Sequence, residues 1–349
     1  MIAQPSQPAP VATIEMTRNH PALRPFALAL SLALLACLLA VPSAIGRASH
    51  VRAHAANSYL TGIGDEHTEM FGNPLWKQLH TKITRYITPY DAAVKPYYLQ
   101  QARAWIQDAE AQHQQVLVAF YHSEYTPTKM PSIATYQSDV AKFIKDFPNV
   151  REYQAWNEAN RGNVAHSFSS PSAVADAKYY QALLRVCKGC TVLGLDVLDA
   201  ANITPTLKYI SEFKREVSRL ETVRPAISGL HNYSDVNRLE SARTRALVKA
   251  LGGQVWLTET GGLVKFEPGF SNHHGEGLVR AAKALNKMFA IAGVVPQIKR
   301  LYIFDWTGGT ASTHFDAGLM NAKYQPRPGY IVVCKALRAA KCNQKVANN

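Results

Sequence analysis

Much that would classify these 349 residues quickly is missing from them. There is no block of lysine and arginine. The basic side chains are spread over presumptive helix faces such as "SEFKREVSRLE", whereas a nucleic-acid binder gathers them on one face or segment with aromatics interleaved. A nucleic-acid partner is therefore not expected. There is no dinucleotide fingerprint either, because "TGIGDEH" lacks the third glycine and no long helix follows it; no cofactor is expected. Metal-ligand spacing is absent as well. Asp65, Glu66 and His67, and the pair His273 and His274, fit no metal motif, and the four cysteines after residue 55 are too dispersed for a compact zinc module. Beyond residue 55 there is no internal repeat and no low-complexity tract, which excludes solenoids and propellers.

Only one long apolar run is present, from Pro25 to Ile45, preceded by Arg18 and Arg24. It reads as an export signal, with small residues around Ala44 and the triplet Ala53-His54-Ala55 as alternative cleavage sites. It is also long enough to cross a bilayer, which takes about 20 helical residues. Residues 1–55 are thus expected to be a signal peptide, or an N-terminal membrane anchor with a linker. The protein would be secreted or held at the cell surface, meeting membrane only through this segment. Cys37 lies inside the run and reads as part of it, not as a lipid-attachment site.

Without residues 1–55, the 38 basic and 25 acidic side chains fall to 34 and 24, a net of +10. Such a surface can attract an anionic cell-wall polymer. Export also permits disulfides. Cys187 and Cys190 in "CKGC" can pair with each other or with the remaining two. Cys334 and Cys342 can pair only if the helix suggested by "IVVCKALRAAKC" ends early. A continuous helix would hold them about 12 Å apart, beyond the roughly 7 Å reach of a bridge.

What the chain has in abundance is alternation. Eight apolar runs rich in β-branched and aromatic residues follow one another: "YLTGIGDEH", "KITRYITPYD", "QVLVAFYHS", "REYQAWNEAN", "TVLGLDVLD", "PAISGLHNYSD", "QVWLTETGG" and "RLYIFDWTGG". Continuous apolar character in "VLVAF" and "LYIF" suits parallel strands covered on both faces. Between them lie amphipathic stretches, among them "PYYLQQARAWIQDAEAQHQQ", "SIATYQSDVAKFIKDF" and a single long one over residues 234–253 that ends at Gly252-Gly253. "NPLWKQLHTK" supplies a short first helix and "RPGYIVVCKALRAAK" the last. Eight βα units without a long linker predict an α/β protein with a single (β/α)8 TIM barrel over residues 56–349.

In such a barrel the C-terminal ends of the strands converge on one mouth, where the reactive groups gather. Read in order, these ends carry Asp65 and Glu66, Arg85, His122, Trp156 with Asn157 and Glu158, Asp196, His231 with Tyr233, Glu259, and Asp305 with Trp306. Two carboxylic acids can cleave a glycosidic bond, one protonating the leaving oxygen while the other meets the oxocarbenium ion. Their environments must then hold one protonated and the other ionised. Arg85 would keep Glu259 ionised, and Tyr233 could donate a hydrogen bond to it. Glu158, beside Trp156 and farther from Arg85, would keep the higher pKa and act as the acid. His122, Trp156, His231 and Trp306 are candidate sugar contacts, an aromatic face being suited to the C–H surface of a pyranose. Asp196, Asp199 and Asp305 are expected to meet substrate hydroxyls or to cap loops.

Taken together, "WNE" after the fourth run, "HNY" after the sixth, "TETG" after the seventh and a tryptophan after the eighth resemble the retaining (β/α)8 glycoside hydrolases of clan A, which include families 5 and 39. The resemblance implies that Glu158 is the general acid/base and Glu259 the nucleophile. It further implies that Asn157 holds the sugar 2-hydroxyl, that Arg85 and Tyr233 orient the nucleophile, and that Trp306 forms the floor under the sugar. The reaction would be a double displacement with retention through a covalent glycosyl-Glu259, the carboxyl groups lying about 5–5.5 Å apart. The substrate would be a β-linked polysaccharide or oligosaccharide. Ala159 stands where many relatives carry proline. The loops name no monosaccharide. Two alternatives stand beside this one: a cell-surface barrel that binds carbohydrate without turning it over, and a transglycosylase using the same residues.

Overall fold

The computed structural model describes residues 58–162, 167–266, 277–310 and 312–347. The segment expected to direct export and the pair His273 and His274 lie outside them. The strands are β1 (Leu60–Gly64), β2 (Ile83–Pro89), β3 (Gln115–Tyr121), β4 (Glu152–Gln154), β5 (Thr191–Leu193), β6 (Asp196–Leu198), β7 (Ile227–His231), β8 (Gln254–Thr260), β9 (Lys265–Phe266), β10 (Ile298–Phe304) and β11 (Phe315–Asp316). The main sheet runs β5-β4-β3-β2-β1-β10-β8-β7-β6 with parallel pairings.

Its two ends are one strand in two pieces. Gly194 and Leu195 interrupt it, yet Gly194 N donates to Ile227 O at 3.0 Å and Gly229 N to Leu195 O at 2.6 Å, so both pieces stay on β7. The sheet therefore closes on itself as the expected (β/α)8 barrel. Only glycine fits at 194, because any Cβ there would overlap the ring of Pro225.

The helices are α1 (Glu69–Gly72), α2 (Pro74–Lys77), α3 (Pro96–Ala111), α4 (Ile133–Asp146), α5 (Ala173–Val186), α6 (Thr204–Arg219), α7 (Tyr233–Asn237), α8 (Ala242–Leu251), α9 (Gly277–Val294) and α10 (Pro328–Ala336). Serines start two of them: Ser132 accepts from Thr135 N at 3.0 Å and Ser172 from Ala175 N at 3.2 Å, satisfying donors that a helix start leaves open. The single helix expected over 234–253 is two. Leu239 turns left-handed (φ +57), and the carboxylate of buried Asp235 accepts from Thr244 N at 2.6 Å to start α8 afresh. Among the described residues no helix is long and apolar enough to cross a membrane.

α10 does end early. Arg338 is left-handed (φ +55), the chain doubles back, and Cys334 and Cys342 form a disulfide with Cα atoms 5.6 Å apart. Cys187 bonds to Cys190 just beyond α5, with Cα atoms 5.5 Å apart.

The core has two layers. One fills the space between strands and helices, with Phe120, Tyr153, Leu301 and Ile303 facing outward from the sheet. The other fills the barrel itself with Ile83, Leu117, Leu193, Trp256 and Tyr302. At the foot of the barrel Arg300 stacks on Trp256, 3.9 Å from its ring, and reaches from β10 to β4, where it grips both oxygens of Glu152 at 2.7 and 3.0 Å.

Candidate active site

Side chains on a strand alternate between faces, so Ile83, Arg85 and Ile87 climb the inside of β2 from floor to mouth. Arg85 is 2 % exposed, and a guanidinium taken out of water needs charged or polar partners. It has four. Nε donates to Gln154 Oε1 at 2.9 Å, Nη1 to Glu259 Oε2 at 3.1 Å, and Nη2 to Asn157 Oδ1 at 2.6 Å and to Asp196 Oδ2 at 3.3 Å. Tyr233 OH donates to the other Glu259 oxygen at 3.1 Å. Glu259 is thereby fixed from two sides.

Glu158 comes from a turn. Asn157 N still donates to Phe120 O at 2.8 Å, after which Glu158 adopts φ +46 and Ala159 N bonds Asp196 O at 2.9 Å. Non-glycine residues seldom enter that left-handed region. The turn aims the Glu158 carboxylate across the mouth: Oε1 meets His231 Nδ1 at 3.0 Å and Oε2 meets Arg161 Nη1 at 3.1 Å.

His231, at the end of β7, is wholly buried. Its Nε2 lies 3.0 Å from Asp196 Oδ2, and its Nδ1 faces Glu158 Oε1 at 3.0 Å and Glu259 Oε2 at 3.7 Å. With acceptors at both nitrogens, the ring carries two protons. Burial alone would lower its pKa, but the charges of Asp196 and Glu259 and the hydrogen bonds to Asp196 and Glu158 push it up to about 10. Asp196 is the counterpart. Burial would raise it, yet the His231 and Arg85 charges and hydrogen bonds from His231 and Thr258 hold it at about 2.

Glu158 departs from expectation. Burial pushes its carboxyl up, but the hydrogen bond and charge of His231, together with Arg161, outweigh burial and hold it below the usual carboxylate range. The expected cause of a higher pKa, Trp156, is not beside the carboxylate. Its indole turns into the helix layer and stacks on Tyr179 at 5.4 Å and 16°.

An oxygen of each glutamate and one His231 nitrogen all lie within 4.8 Å of one another. Both carboxylates line a cavity of about 650 Å³, with Asn157 and Tyr233 beside them and Leu263, Phe266, Phe304 and Phe315 forming an apolar wall. The antiparallel pair β9–β11 supplies two of those aromatics. Asn157 gives its oxygen to Arg85, which leaves its NH2 group as the end for a ligand. The same three groups have the spacing of a metal site. They already face a guanidinium on either side, and the ring between them is an imidazolium, so the donor set suits a cation poorly.

Three expected residues sit elsewhere. Trp306 does not floor the cavity: it is wholly buried, edge-on to Tyr330 at 5.9 Å. The strand ends at Phe304, and that side chain, in step with Arg300 and Tyr302, faces the mouth. Trp156 lies under the helices as described. His122 packs flat on Phe168 at 5.6 Å and 5°, with Glu124 3.7 Å away, and touches neither glutamate. Asp196 was expected to meet substrate hydroxyls or to cap a loop; it is 1 % exposed and lies below the site, bracing Arg85 and His231. For Asp199 the capping alternative holds: it accepts from Ser234 N at 2.7 Å and Asp235 N at 3.0 Å. Arg161 and Phe304 were not anticipated. The clue to Arg161 was a cation three residues after Glu158, and the clue to Phe304 was its even step along β10.

No protein-family model and no curated protein sequence matches the chain. Solved structures do. A GH5_18 glycoside hydrolase from Streptomyces cattleya, in complex with GlcNAc, superposes with a TM-score of 0.57 at 15 % identity, over 84 % of this chain and 83 % of that one. A monomeric β-xylosidase from Caulobacter crescentus gives 0.54 at 16 %, over 81 % and 68 %. An intracellular xylanase from Thermoanaerobacterium saccharolyticum gives 0.56 at 12 %, over 79 % and 95 %. At these identities the likeness establishes the fold, a (β/α)8 barrel such as these glycoside hydrolases have.

Proposed function

We propose that the protein is a retaining glycoside hydrolase acting on a β-linked polysaccharide or oligosaccharide. The observation that carries the reading is the approach of Glu158 and Glu259 to within 4.8 Å across one cavity. That approach is between one oxygen of each group; the carboxyl groups of an inverting pair stand roughly 6.5–9.5 Å apart to admit water between them, a spacing that so short an oxygen approach disfavours. Saccharides bound in structural neighbours, GlcNAc and Manβ1-4GlcNAc, agree with a sugar ligand.

In this reading Glu259, held by Arg85 and Tyr233, attacks the anomeric carbon, and the bond to the leaving oxygen breaks as the glycosyl–Glu259 ester forms. Glu158 delivers the proton to that oxygen. Since Glu158 is the weaker base of its pair with His231, the proton rests on His231 Nδ1 and passes through Glu158 as charge builds on the leaving group. In the second step Glu158 takes a proton from the attacking water and returns it to His231 Nδ1, while the water oxygen bonds the anomeric carbon and the bond to Glu259 breaks, so that both carboxylates and the imidazolium are restored. We also propose that the Pro25–Ile45 run directs export; the two disulfides support it, because such bonds persist in oxidising compartments.

The test is turnover of a panel of chromogenic β-glycosides and wall polysaccharides, with the anomer of the first product followed by NMR. Glu259→Gln should abolish turnover of every substrate and Glu158→Gln that of the polysaccharides, and the initial product should keep the β configuration. Inversion, or activity that survives both substitutions, would sink the proposal.

A further inference from the structure

A second cleft, of about 730 Å³, opens on the same mouth. It is built from the loops after β1 and β3, the end of β2 and the first half of α3, whereas the cavity holding the glutamates draws mostly on the later strands. Ile87 lines both, so the two adjoin. Tyr97 stands in this cleft 59 % exposed. Tyr98 lies edge-on to it at 5.1 Å, and Tyr125, equally exposed, lies edge-on to Tyr98 at 5.9 Å. A group of aromatic faces left in water beside a site marks a place for a ligand, and such faces pack against the C–H surface of sugars while amides take the hydroxyls. Gln100 and Gln101 provide the amides.

Charge narrows the ligand. Residues 56–349 carry ten more basic than acidic side chains, yet the lining includes Glu66, Glu69 and Glu124 and neither lysine nor arginine; burial pushes Glu66 up to about 8, so Glu69 and Glu124 supply the negative charge, and Lys95, over the Tyr125 ring at 4.8 Å, stands outside the lining. An anionic unit would meet repulsion there.

We propose that this cleft binds further units of the glycan whose cleaved bond lies between Glu158 and Glu259, and that those units are neutral or amino sugars, not uronic acids. The inference rests on the glycoside hydrolase reading and deepens it: the enzyme would grip a chain, not only a terminal sugar.

The experiment is isothermal titration of the full chain, carrying Glu259→Gln to stop turnover, at about 0.15 M salt, where surface charges are screened beyond about 8 Å. The ligands are cellobiose and cellohexaose, and the hexamers of mannose, xylose, N-acetylglucosamine, glucosamine and galacturonic acid. At least one neutral or amino hexamer should bind, more tightly than its disaccharide by about tenfold or more. Tyr97→Ala should remove most of that gain, with Gln100→Ala a milder second case; circular dichroism checks that both keep the fold. Failure of every hexamer to bind, a hexamer no tighter than its dimer, or Tyr97→Ala without effect would overturn the proposal, as would Tyr97-dependent binding of the galacturonate hexamer alone. The two readings fail separately. Turnover that depends on the glutamates but not on Tyr97 refutes the cleft, while Tyr97-dependent binding without any turnover refutes the enzyme.

Discussion

Glu158 and His231 share one proton, and that sharing is what separates this site from a simple pair of carboxylates. If Glu158 acts as the acid, Glu158→Gln should slow substrates with poor leaving groups far more than activated aryl glycosides, whose departure needs no proton. A split of about a hundredfold or more between the two substrate types is expected, read as kcat/KM. An equal loss on both would assign Glu158 to binding. His231 also links the site to stability. Its folded pKa of about 10 lies above its ordinary 6.5, so the stabilisation it contributes is complete below pH 6.5 and disappears as pH rises through about 10. Asp196, at about 2 against an ordinary 3.8, contributes fully above 3.8 and loses its share as pH falls through about 2. Thermal melts from pH 7 to 11 should therefore fall more steeply for the native protein than for His231→Asn. Parallel curves would mean that the ring is not charged. At this scale the sequence was readable where a residue sits on a strand. Arg85, His231 and Glu259 could be placed because alternation fixes their direction. Trp156, Trp306 and His122 follow the strands, and there the turn, not the period, decides where a side chain points.

The fifth barrel strand shows what element-level reading misses. One apolar run, "TVLGLDVLD", is two short strands around Gly194, and the break lets Asp196 lie under the mouth. Gly229, opposite on β7, has no room for a methyl group: a Cβ would overlap Asp196 Oδ1 and Thr258 Oγ1. Gly229→Ala should cost about 1–3 kcal/mol through overpacking, seen as a melting temperature lower by several degrees. Because the collision is with Asp196, it should also move the alkaline limb of the pH–activity profile downward. A melt that drops without any change in the profile would separate packing from the site. The split into α7 and α8 was hidden for a similar reason. The helical period runs through residues 234–253, and only the folded chain brings Asp235 to Thr244 N. Where a cap is local, as at Ser172, the sequence displays it, and Ser172→Ala should cost about 1 kcal/mol in denaturant unfolding while leaving any turnover untouched.

Across the whole molecule, the closures are covalent as well as hydrogen-bonded. The two disulfides enclose short loops, worth roughly 2–2.5 kcal/mol each by chain entropy. Reduction with dithiothreitol should lower the melting temperature measurably without unfolding the barrel at room temperature. Full unfolding on reduction would mean that the packed layers contribute less than their extent suggests. Eight strands at regular spacing made the barrel visible before any coordinates, since each run had to be strand by composition and parallel by its neighbours. What closes it, the two-piece strand held by β7, depends on contacts between residues far apart in the chain.

Arg300, lying across Trp256 with Glu152 in its grasp, plugs the foot of the barrel. Under the proposed retaining reaction, a sugar would consequently have only the mouth as its door. Water that would free it from Glu259 would come in by that same mouth, so a saccharide slow to leave would stand in water's way and could be attached in its place. The balance between cutting chains and joining them would then be a matter of traffic: how long the leaving piece lingers on the threshold.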